Sequence, residues 1–291
     1  MSDTNYRLIS MQNTAIDRGF TMAKPIALIT NDDSIESPLL APLVEAASEV
    51  CEVFVVAPAT EQSWIGRAYS RHRKLQIKES GAFSHPTWTI DGTPSDCVNI
   101  GLHHLLPVKP DIVLSGINIG YNATATYIYS SGTVAGALEG AFHNIPSIAF
   151  SKALPEHAYT TATEERVLDE QSVIDSVKSD QKRIPKMIEN ALSAETELGR
   201  VWNINFPEAS DEHSDIAYTH PIRLPGFSFF KINEDQVAHF EFSTSGKLDI
   251  PEDTDIAAIR RGDISVSILG FGQLTQWNGS QEDDPLRLKS C

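Results

Sequence analysis

The chain has 291 residues, of which 41% are hydrophobic and 21% charged, and its formal net charge is −16. This balance is typical of a folded globular chain and excludes one that is mainly disordered. The negative charge argues against a nucleic-acid backbone as the main partner, because such partners select basic surfaces. The sequence also lacks a run of 18 apolar residues, so we expect no membrane span.

The cysteines and the N-terminal segment indicate the compartment. Cys51, Cys97 and Cys291 lack C-x-x-C spacing, which excludes a zinc framework or a disulfide scaffold and favours a reducing compartment. Residues 1–24 lack the apolar core of a secretory signal. We therefore expect a cytoplasmic protein with a flexible extension over 1–24 and a single α/β domain over 25–291.

Hydrophobic periodicity from residue 26 onward predicts strands that alternate with helices. In chain order the predicted elements are strand 26–30, helix 37–50, strand 52–58, helix 95–106 with Ser95 as N-cap, strand 111–118, helix 132–143 and strand 146–151. This alternation favours a Rossmann-like three-layer core, in which helices cover both faces of a mostly parallel sheet. The alternating segment 69–92 predicts an antiparallel hairpin added to that core.

The second half of the chain has weaker periodicity. We expect a surface loop over 152–171, a helix over roughly 172–194 that is interrupted at Pro185, and a buried strand at 200–207. The region of about 208–250 is rich in aromatic residues and predicts hairpin strands that project from the main body. A helical turn, a glycine and a closing strand follow over 254–271.

Polar residues follow three of the predicted strands. Strand 26–30 is followed by Asn31, Asp32 and Asp33, strand 52–58 by Ser63, and strand 111–118 by a polar loop that includes Asn118, Asn122, Ser130, Ser131 and Thr133. Ligands of parallel α/β sheets bind at the carboxyl ends of the strands, so we expect these side chains to converge. Two carboxylates, a hydroxyl and an amide oxygen suit a hard cation such as Mg²⁺ or Mn²⁺, which would neutralise the adjacent acids.

The turn at 130–136 opens the predicted helix 132–143, and backbone N–H groups at a helix N-terminus favour anions. A phosphate bound there beside a cation would suit phosphoryl transfer to water, because the cation polarises the P–O bond and lowers the pKa of bound water. Asp32 or Asp33 would also orient that water. No histidine has the context of a catalytic triad, so nucleophilic attack by Ser63 is the weaker hypothesis.

Each of these features also has a simpler explanation. Residues 31–34 would form an Asx-type turn, Ser63 would be a loop hydroxyl, and Asn118 would tolerate a left-handed backbone. The glycines of 131–136 would allow close packing, and the basic run 67–74 would be a solvated strand edge. Their occurrence together at three strand ends favours a functional site. A nucleotide-sensing or phosphoacceptor module is the non-enzymatic alternative.

Motifs in this order resemble those of the SurE survival proteins, a family of metal-dependent 5′/3′-nucleotidases. The matching segments are ITNDDS, VVAPATEQS, DGTPSDCVNIGL, PDIVLSGINIGYN, YSSGTVAGALEG, IPSIAFS, VWNINFP and TDIAAIRRGDISVSIL. They extend from residue 26 to about 270, so the resemblance covers most of the chain. No single motif is decisive, but the ordered set is specific.

The resemblance implies a site and an activity. The implied ligands of one divalent cation per subunit, Mg²⁺ or Mn²⁺, are Asp32, Asp33, Ser63 and Asn118, and the acids and the amide among them are the implied catalytic residues. The implied phosphate contacts are Asn31, Asn122, Ser131, Gly132 and Thr133. The expected substrates are nucleoside 5′-monophosphates, with 3′-monophosphates as a second class, and we expect neither a stable nucleic-acid complex nor membrane binding. The resemblance also implies a homodimer or homotetramer in which the projecting hairpin and the C-terminal segment are exchanged.

Four departures from the family pattern bear on substrate preference and leave the implied metal ligands intact. Ser34 stands where the family usually has glycine, so we expect a positive φ at a non-glycine residue. Ala59 replaces the usual acid after the second strand. The loop before the S-G-T turn is one residue longer, which leaves Ser130 or Ser131 as the phosphate contact. Arg260 and Arg261 stand where less basic residues are expected.

Overall fold

The computed structural model describes residues 24–154, 170–194, 199–211, 213–224, 228–240 and 249–270. The predicted N-terminal extension over 1–24 therefore lies almost entirely outside the described residues. Most of the loop predicted over 152–171 and the C-terminal segment expected to be exchanged between subunits also lie outside them.

A nine-stranded sheet forms the centre of the described structure. Its strands are β1 (Ile26–Thr30), β2 (Glu52–Pro58), β3 (Ile77–Glu79), β4 (Thr87–Ile90), β5 (Ile112–Ile119), β6 (Ser147–Lys152), β7 (Arg200–Phe206), β8 (Ile216–Thr219) and β11 (Ile264–Gly270). Strands β9 (Phe230–Ile232) and β10 (Ala238–Phe240) form a separate two-stranded sheet. The order across the sheet is β3-β4-β2-β1-β5-β6-β7-β11-β8. All neighbours pair in parallel except β3 with β4 and β11 with β7. The predicted, mostly parallel sheet and the added hairpin are confirmed.

Helices cover both faces of this sheet. They are α1 (Leu40–Val50), α2 (Pro94–Ile100) with a π-helical continuation (Gly101–Leu105), α3 (Thr124–Ser130), α4 (Gly132–Phe142), α5 (Glu170–Gln181), α6 (Ile184–Ser193) and α7 (Asp255–Arg261). Within β1, Ala27 and Ile29 belong to the core cluster that contains the buried residues of α1, α5 and α6. Leu28 belongs to the cluster that contains those of α2. Successive side chains of a strand point to opposite faces, so a strand that is apolar throughout is buried on both.

Helix α2 begins differently from the prediction. Thr93, and not Ser95, is the N-cap: its hydroxyl accepts a hydrogen bond from the Asp96 backbone N–H at 3.1 Å, and Asp96 Oδ2 accepts one from the Thr93 N–H at 2.9 Å. This reciprocal pair is a capping box. The Ser95 prediction was wrong because Pro94 already occupies the first helical position, which suits a residue without an N–H.

Two helical segments were predicted incompletely. Helix α3 lies in a stretch predicted as a loop, because its sequence TATYIYS is rich in residues of low helix propensity. Tertiary contact compensates: the Asp255 carboxylate accepts a hydrogen bond from the backbone N–H of Thr124, the first residue of α3. The helix predicted over 172–194 is divided into α5 and α6, and Pro185 stands in the first turn of α6, so the predicted interruption is confirmed.

The region of about 208–250 contains one hairpin and one strand of the main sheet. Strands β9 and β10 pair antiparallel, which confirms a hairpin in the aromatic segment. Strand β8 pairs in parallel with β11 at the sheet edge, so the prediction of a projecting strand there was wrong. An alternating, half-exposed strand fits a sheet edge as well as a hairpin, and periodicity alone does not separate the two.

Arg260 and Arg261 lie in the last turn of α7, before Gly262 ends the helix in the left-handed conformation at φ +90°.

A buried ion pair closes the end of β6, where a surface loop was predicted to start. Lys152 Nζ contacts Asp180 Oδ2 of α5 at 2.8 Å, the Pro207 carbonyl at 2.7 Å and Ser210 Oγ at 2.9 Å. Both charged side chains are fully buried. Burial raises the pKa of Asp180, and the charge of Lys152 opposes that shift. The prediction of a surface loop beginning at 152 was wrong, because Lys152 belongs to β6 and the hydrogen bonds of its ammonium group are all made inside the protein.

Candidate metal and phosphate site

The loops that follow β1, β2 and β5 meet at one edge of the sheet. Strand β1 lies between β2 and β5, so the three carboxyl ends are neighbours. The loop after β2 is bound to the loop after β1: the Gln62 N–H donates to the Asp32 carbonyl at 2.7 Å, and the Ile35 N–H donates to the Pro58 carbonyl at 3.0 Å. The loops after β1 and β2 are therefore joined through their backbones.

Asp32 packs against the start of α4. The Thr133 hydroxyl donates a hydrogen bond to Asp32 Oδ1, and the Asp32 residue is only 4% exposed. Burial raises the pKa of Asp32, while the hydrogen bonds from Thr133 lower it. The glycine of the S-G-T turn allows this approach, because a Cβ atom on Gly132 would lie 2.7 Å from the Cβ atom of Asp32. Thr133, predicted to contact phosphate, thus orients the first acid.

Asp33 is held by the end of β5. Its Oδ2 accepts a hydrogen bond from the Ile119 backbone N–H at 2.9 Å. Burial raises the pKa of Asp33 well above its ordinary value, and the neighbouring charge of Asp32 raises it further. Asp32 is buried and Asp33 is partly buried, so the adjacent carboxylates disfavour each other's ionised form, and a cation between them would remove that cost. The pair therefore fits a divalent cation.

Ser63 lies in the loop after β2, whereas Asn118, predicted in the loop after the third strand, lies within β5 near its end, and each has a local hydrogen bond. Ser63 is exposed, and its hydroxyl donates to Glu61 Oε1 at 2.6 Å. The Asn118 amide nitrogen donates to the Gly120 carbonyl at 2.7 Å, which identifies its oxygen as the remaining acceptor. Within the described residues neither side chain makes a hydrogen bond to Asp32 or Asp33. Shared ligation of a cation is the interaction expected between such acceptor groups.

Glu61 is a third acid near the pair that sequence reasoning missed. The negative charge of Glu61 also raises the pKa values of Asp32 and Asp33, although it contributes less than burial does. The sequence does show that Glu61 stands two residues before Ser63, in the loop where Ala59 replaces the usual family acid. Glu61 could have been considered as a substitute for that acid. The described part of the chain has no cluster of three or more His, Cys, Asp or Glu side chains arranged for a metal ion. A cation here would therefore combine two carboxylates with neutral oxygens.

Asn31 has a buried acceptor without a partner. Its Nδ2 donates to the Ser34 carbonyl at 2.7 Å, and no described residue donates to its Oδ1. Such an orphaned oxygen suits a water molecule or a cation. Ser34, which closes this turn, has a φ of +78°, so the expectation of a positive φ at a non-glycine residue is confirmed.

The serines before the S-G-T turn have distinct local roles. Ser131 Oγ accepts a hydrogen bond from the Val134 N–H at 3.0 Å and caps α4. Ser130 Oγ donates back to the Thr126 carbonyl of α3 at 2.9 Å. The N-terminus of α4 is therefore built by Ser131, while Ser130 completes the preceding helix.

Asn122 holds neighbouring strand ends together. Its N–H donates to Asn205 Oδ1 at 2.7 Å, and its amide nitrogen donates to Ser151 Oγ at 2.9 Å. Its carbonyl accepts a hydrogen bond from Asn203 Nδ2 at 2.8 Å. Asn122 is therefore hydrogen-bonded to both β6 and β7, and these bonds fix the position of the loop after β5.

The segment from Ala59 to Ser70, here called the Ser63 loop, is fastened to the helices. Arg67 and the Tyr69 hydroxyl both contact Glu139 Oε2 of α4, at 2.6 Å and 2.5 Å. The Gly66 N–H donates to the Ser130 carbonyl at 2.8 Å. The interpretation of 67–74 as a strand edge was wrong, because these residues form no strand and Arg67 pairs with a buried carboxylate.

Comparison with known proteins gives consistent matches. The family model described as "Survival protein SurE" matches residues 27–224. A protein of Brucella canis named "5'-nucleotidase SurE" is 35% identical, covering 83% of this chain and 91% of that protein. A protein of the same name from Citrifermentans bemidjiense is 48% identical, covering 43% of this chain and 48% of its own.

A solved structure has the same architecture. The crystal structure of the SurE protein from Aquifex aeolicus superposes with a TM-score of 0.63 at 30% sequence identity. The match covers 84% of this chain and 93% of that chain. In the described parts of the present structure, every helix is too short or too polar to cross a bilayer.

Proposed function

The chain belongs to the SurE survival protein family and is a 5′-nucleotidase by that membership, and we propose that it uses one divalent cation to release phosphate from nucleoside monophosphates. The 5′-monophosphates are the main proposed substrates, with 3′-monophosphates as a second class. The adjacent acids Asp32 and Asp33 carry the proposal: burial raises both pKa values, Asp32 lies beside the start of α4, and Asp33 is held by the end of β5. A pair of this kind is expected where a cation and an anion bind side by side.

The residues of the strand-end loops would hold the cation and the phosphate. The proposed cation ligands are the carboxylates of Asp32 and Asp33, the hydroxyl of Ser63 and the amide oxygen of Asn118. When bound, Mg²⁺ or Mn²⁺ supplies Lewis-acid polarisation of the phosphoryl group and lowers the pKa of water. The orphaned Oδ1 of Asn31 lies in the same turn and suits the water shell of such an ion.

The chain's own groups position the reactants. The Thr133 hydroxyl and the Ile119 N–H each fix one carboxylate oxygen, so the two acids are oriented before any ligand binds. Backbone N–H groups at the start of α4, at Gly132 and Thr133, favour the phosphate. Ser131 keeps this turn in place as the N-cap, and Asn122 supports the facing loop. Asp32, Asp33 and Asn118 are the proposed catalytic residues.

A phosphate-release assay with a chelator arm tests this proposal. Purified protein is incubated with AMP and Mn²⁺, with and without EDTA, and free phosphate is measured. We expect release that EDTA abolishes, and loss of turnover in Asp32→Asn and Asp33→Asn with a folded circular dichroism spectrum. Asp215→Asn, at an exposed carboxylate before β8 and outside the proposed site, is the matched control and should retain activity.

Each alternative outcome has a clear reading. Full activity in either acid variant would remove that residue from the site. Release that persists in EDTA would contradict the cation. Tight AMP binding without any release would favour the nucleotide-sensing module over the enzyme.

We also propose that the chain forms a homodimer or a homotetramer through the β9–β10 hairpin. The hairpin exposes the large apolar side chains of Phe230, Ile232 and Val237. Exposed apolar patches of this kind are typical of interaction surfaces. Light scattering after size-exclusion chromatography should give a mass of two or four chains, and Ile232→Asp should lower it; a monomeric mass would contradict assembly.

A cytoplasmic location and the absence of a stable nucleic-acid complex complete the proposal. The net charge of −16 supports the second, because a polyanion is repelled by an acidic surface. A filter-binding assay with single-stranded RNA at low salt tests it, and retention of the RNA would contradict it.

A further inference from the structure

The Ser63 loop places a tryptophan directly after the proposed metal ligand Ser63. Trp64 meets Tyr127 of α3 at a ring-centroid distance of 5.7 Å, Phe229 at 5.3 Å and Phe240 of β10 at 5.1 Å. Phe229 and Phe240 are themselves parallel, at 5.8 Å and 4°. We name these four residues, Trp64, Tyr127, Phe229 and Phe240, the aromatic cluster.

Trp64 remains accessible within this cluster. Trp64 is 44% exposed, although the rings of Tyr127, Phe229 and Phe240 contact it. Its φ is +60°, a conformation that a bulky residue rarely adopts and that persists only when its surroundings impose it. The nearby Gly66 N–H anchors the loop on the Ser130 carbonyl at 2.8 Å, which is such a constraint. The fold thus holds a large, partly exposed ring at a defined position.

The aromatic cluster lies next to the proposed cation and phosphate site. The Gln62 N–H is bonded to the Asp32 carbonyl at 2.7 Å. The Gln62 carbonyl lies 3.1 Å from the position that a Cβ atom on Gly132 would take. Trp64 is two residues further along, so its Cα lies within about 7 Å of that of Gln62. A ribose joins a phosphate to a base over a comparable span.

We propose that the aromatic cluster is the nucleobase subsite of this enzyme, with Trp64 as its main stacking surface. The inference rests on the proposed function, because it assumes that the phosphate binds at the start of α4. All nucleobases present a π face, and stacking on aromatic side chains is tolerant of base identity. The aromatic cluster therefore selects nucleotides as a class over phosphomonoesters without a base. Trp64 is a specificity-determining residue and takes no part in the bond-breaking step.

A substrate comparison tests the subsite. The ratio of kcat/KM for AMP to that for ribose 5-phosphate, which lacks the base, is measured for the wild type, Trp64→Ala and Trp64→Phe. We expect this preference to fall about tenfold or more in Trp64→Ala, through the KM for AMP, and to be largely kept in Trp64→Phe. Tyr129→Ala is the matched control, since Tyr129 is an α3 aromatic that is 84% exposed and outside the aromatic cluster.

Direct binding provides a second readout. Calorimetry with adenosine should give a weaker Kd in Trp64→Ala and an unchanged one in Tyr129→Ala. Phe240→Ala, which removes a ring of the aromatic cluster from β10, replaces Trp64→Ala if that variant does not fold. An unchanged preference for AMP, or an equal loss on both substrates, would overturn the subsite. If the wild type releases phosphate from neither substrate, the proposed function fails instead, and the adenosine titration alone then decides on the subsite.

Discussion

Gly132 and Asp32 approach each other so closely that no side chain fits between them. A Cβ atom on Gly132 would lie 2.7 Å from the Cβ atom of Asp32 and 3.0 Å from its Oδ2. The Thr133 hydroxyl binds the same carboxylate from the adjacent position. The start of α4 and the end of β1 therefore interlock, and glycine is required here for space.

Replacing Gly132 by alanine tests this interlock. The added methyl must displace Asp32 or the Gln62 carbonyl, so we expect a loss of about 1–3 kcal/mol in the free energy of unfolding. A displaced ligand carboxylate should also lower kcat/KM roughly 10- to 100-fold. Urea denaturation and phosphate release measure the two effects. Gly81→Ala, where no atom lies within 4 Å of the new Cβ, should change neither, and a similar loss there would contradict the packing argument.

Glu61→Gln separates charge from hydrogen bonding in the Ser63 loop. A glutamine oxygen still accepts the bond from Ser63 Oγ, observed at 2.6 Å for the acid, but the negative charge is lost. With less negative potential at the pair, Mn²⁺ should bind about tenfold more weakly. Calorimetry at low and high salt measures this. Glu36→Gln, an exposed acid of the neighbouring turn, should have a smaller effect, and equal Kd values for both variants would argue against a specific role of Glu61.

Ser34 should limit the stability of the turn that carries the acids. Its φ of +78° is disfavoured for any residue with a Cβ atom and is easily adopted by glycine. We expect Ser34→Gly to raise the free energy of unfolding by about 0.5–1 kcal/mol. The β-branched Ser34→Val should lower it by about 1 kcal/mol or more. Thermal denaturation ranks the three proteins, and equal melting temperatures would refute the strain argument.

The Lys152–Asp180 pair should be costly to break and cheap to replace. Lys152→Met leaves a buried carboxylate unpaired, so we expect a loss of about 3–5 kcal/mol. The double variant Lys152→Met, Asp180→Leu should regain most of it. The exposed pair Lys186–Glu189, at 3.1 Å, is the control, and Lys186→Met should cost at most about 1 kcal/mol. A double variant as unstable as the single one would contradict this account.

The loss of unfolding free energy caused by Lys152→Met should also depend on pH. Burial already raises the pKa of Asp180 from its ordinary 3.8, and loss of the lysine charge should raise it further. A carboxyl with a raised pKa in the folded state destabilises the fold as pH rises from the unfolded value through the folded one. The deficit should therefore be smaller at about pH 5 than at about pH 7.5. Urea denaturation at both pH values measures this loss of stability. A larger loss at about pH 5 than at about pH 7.5 would exclude the Asp180 carboxylate as its cause.

Sequence periodicity predicted the central strands well because both of their faces are buried. Strands β1 and β2 match the predicted bounds, and β5 and β6 are displaced by one residue. Helix α3 was missed because one distant carboxylate, Asp255, supports a segment of low helix propensity. Strand β8 was misplaced because the pairing partner of an edge strand is set by contacts 48 residues away, as between Ile216 and Ile264.

The candidate site was predictable where strand ends carry it. Asp32, Asp33 and Ser63 follow β1 and β2, and Asn118 lies near the end of β5, so the rule for parallel sheets groups them without a structure. The bond from Thr133 to Asp32 spans 101 residues, and periodicity contains no information on which side chain fills such a gap. The position of Glu61 was equally hidden, because an exposed loop acid carries no pattern of its own.

The Glu139 carboxylate has a mechanical consequence for the enzyme. It is almost fully buried and joins the Ser63 loop, through Arg67 and Tyr69, to α2 through Asn99 at 2.9 Å. Lifting that loop would remove the arginine partner of a buried carboxylate, which costs about 3–5 kcal/mol. We therefore expect the Ser63 loop to stay closed on α4 for most of the reaction cycle.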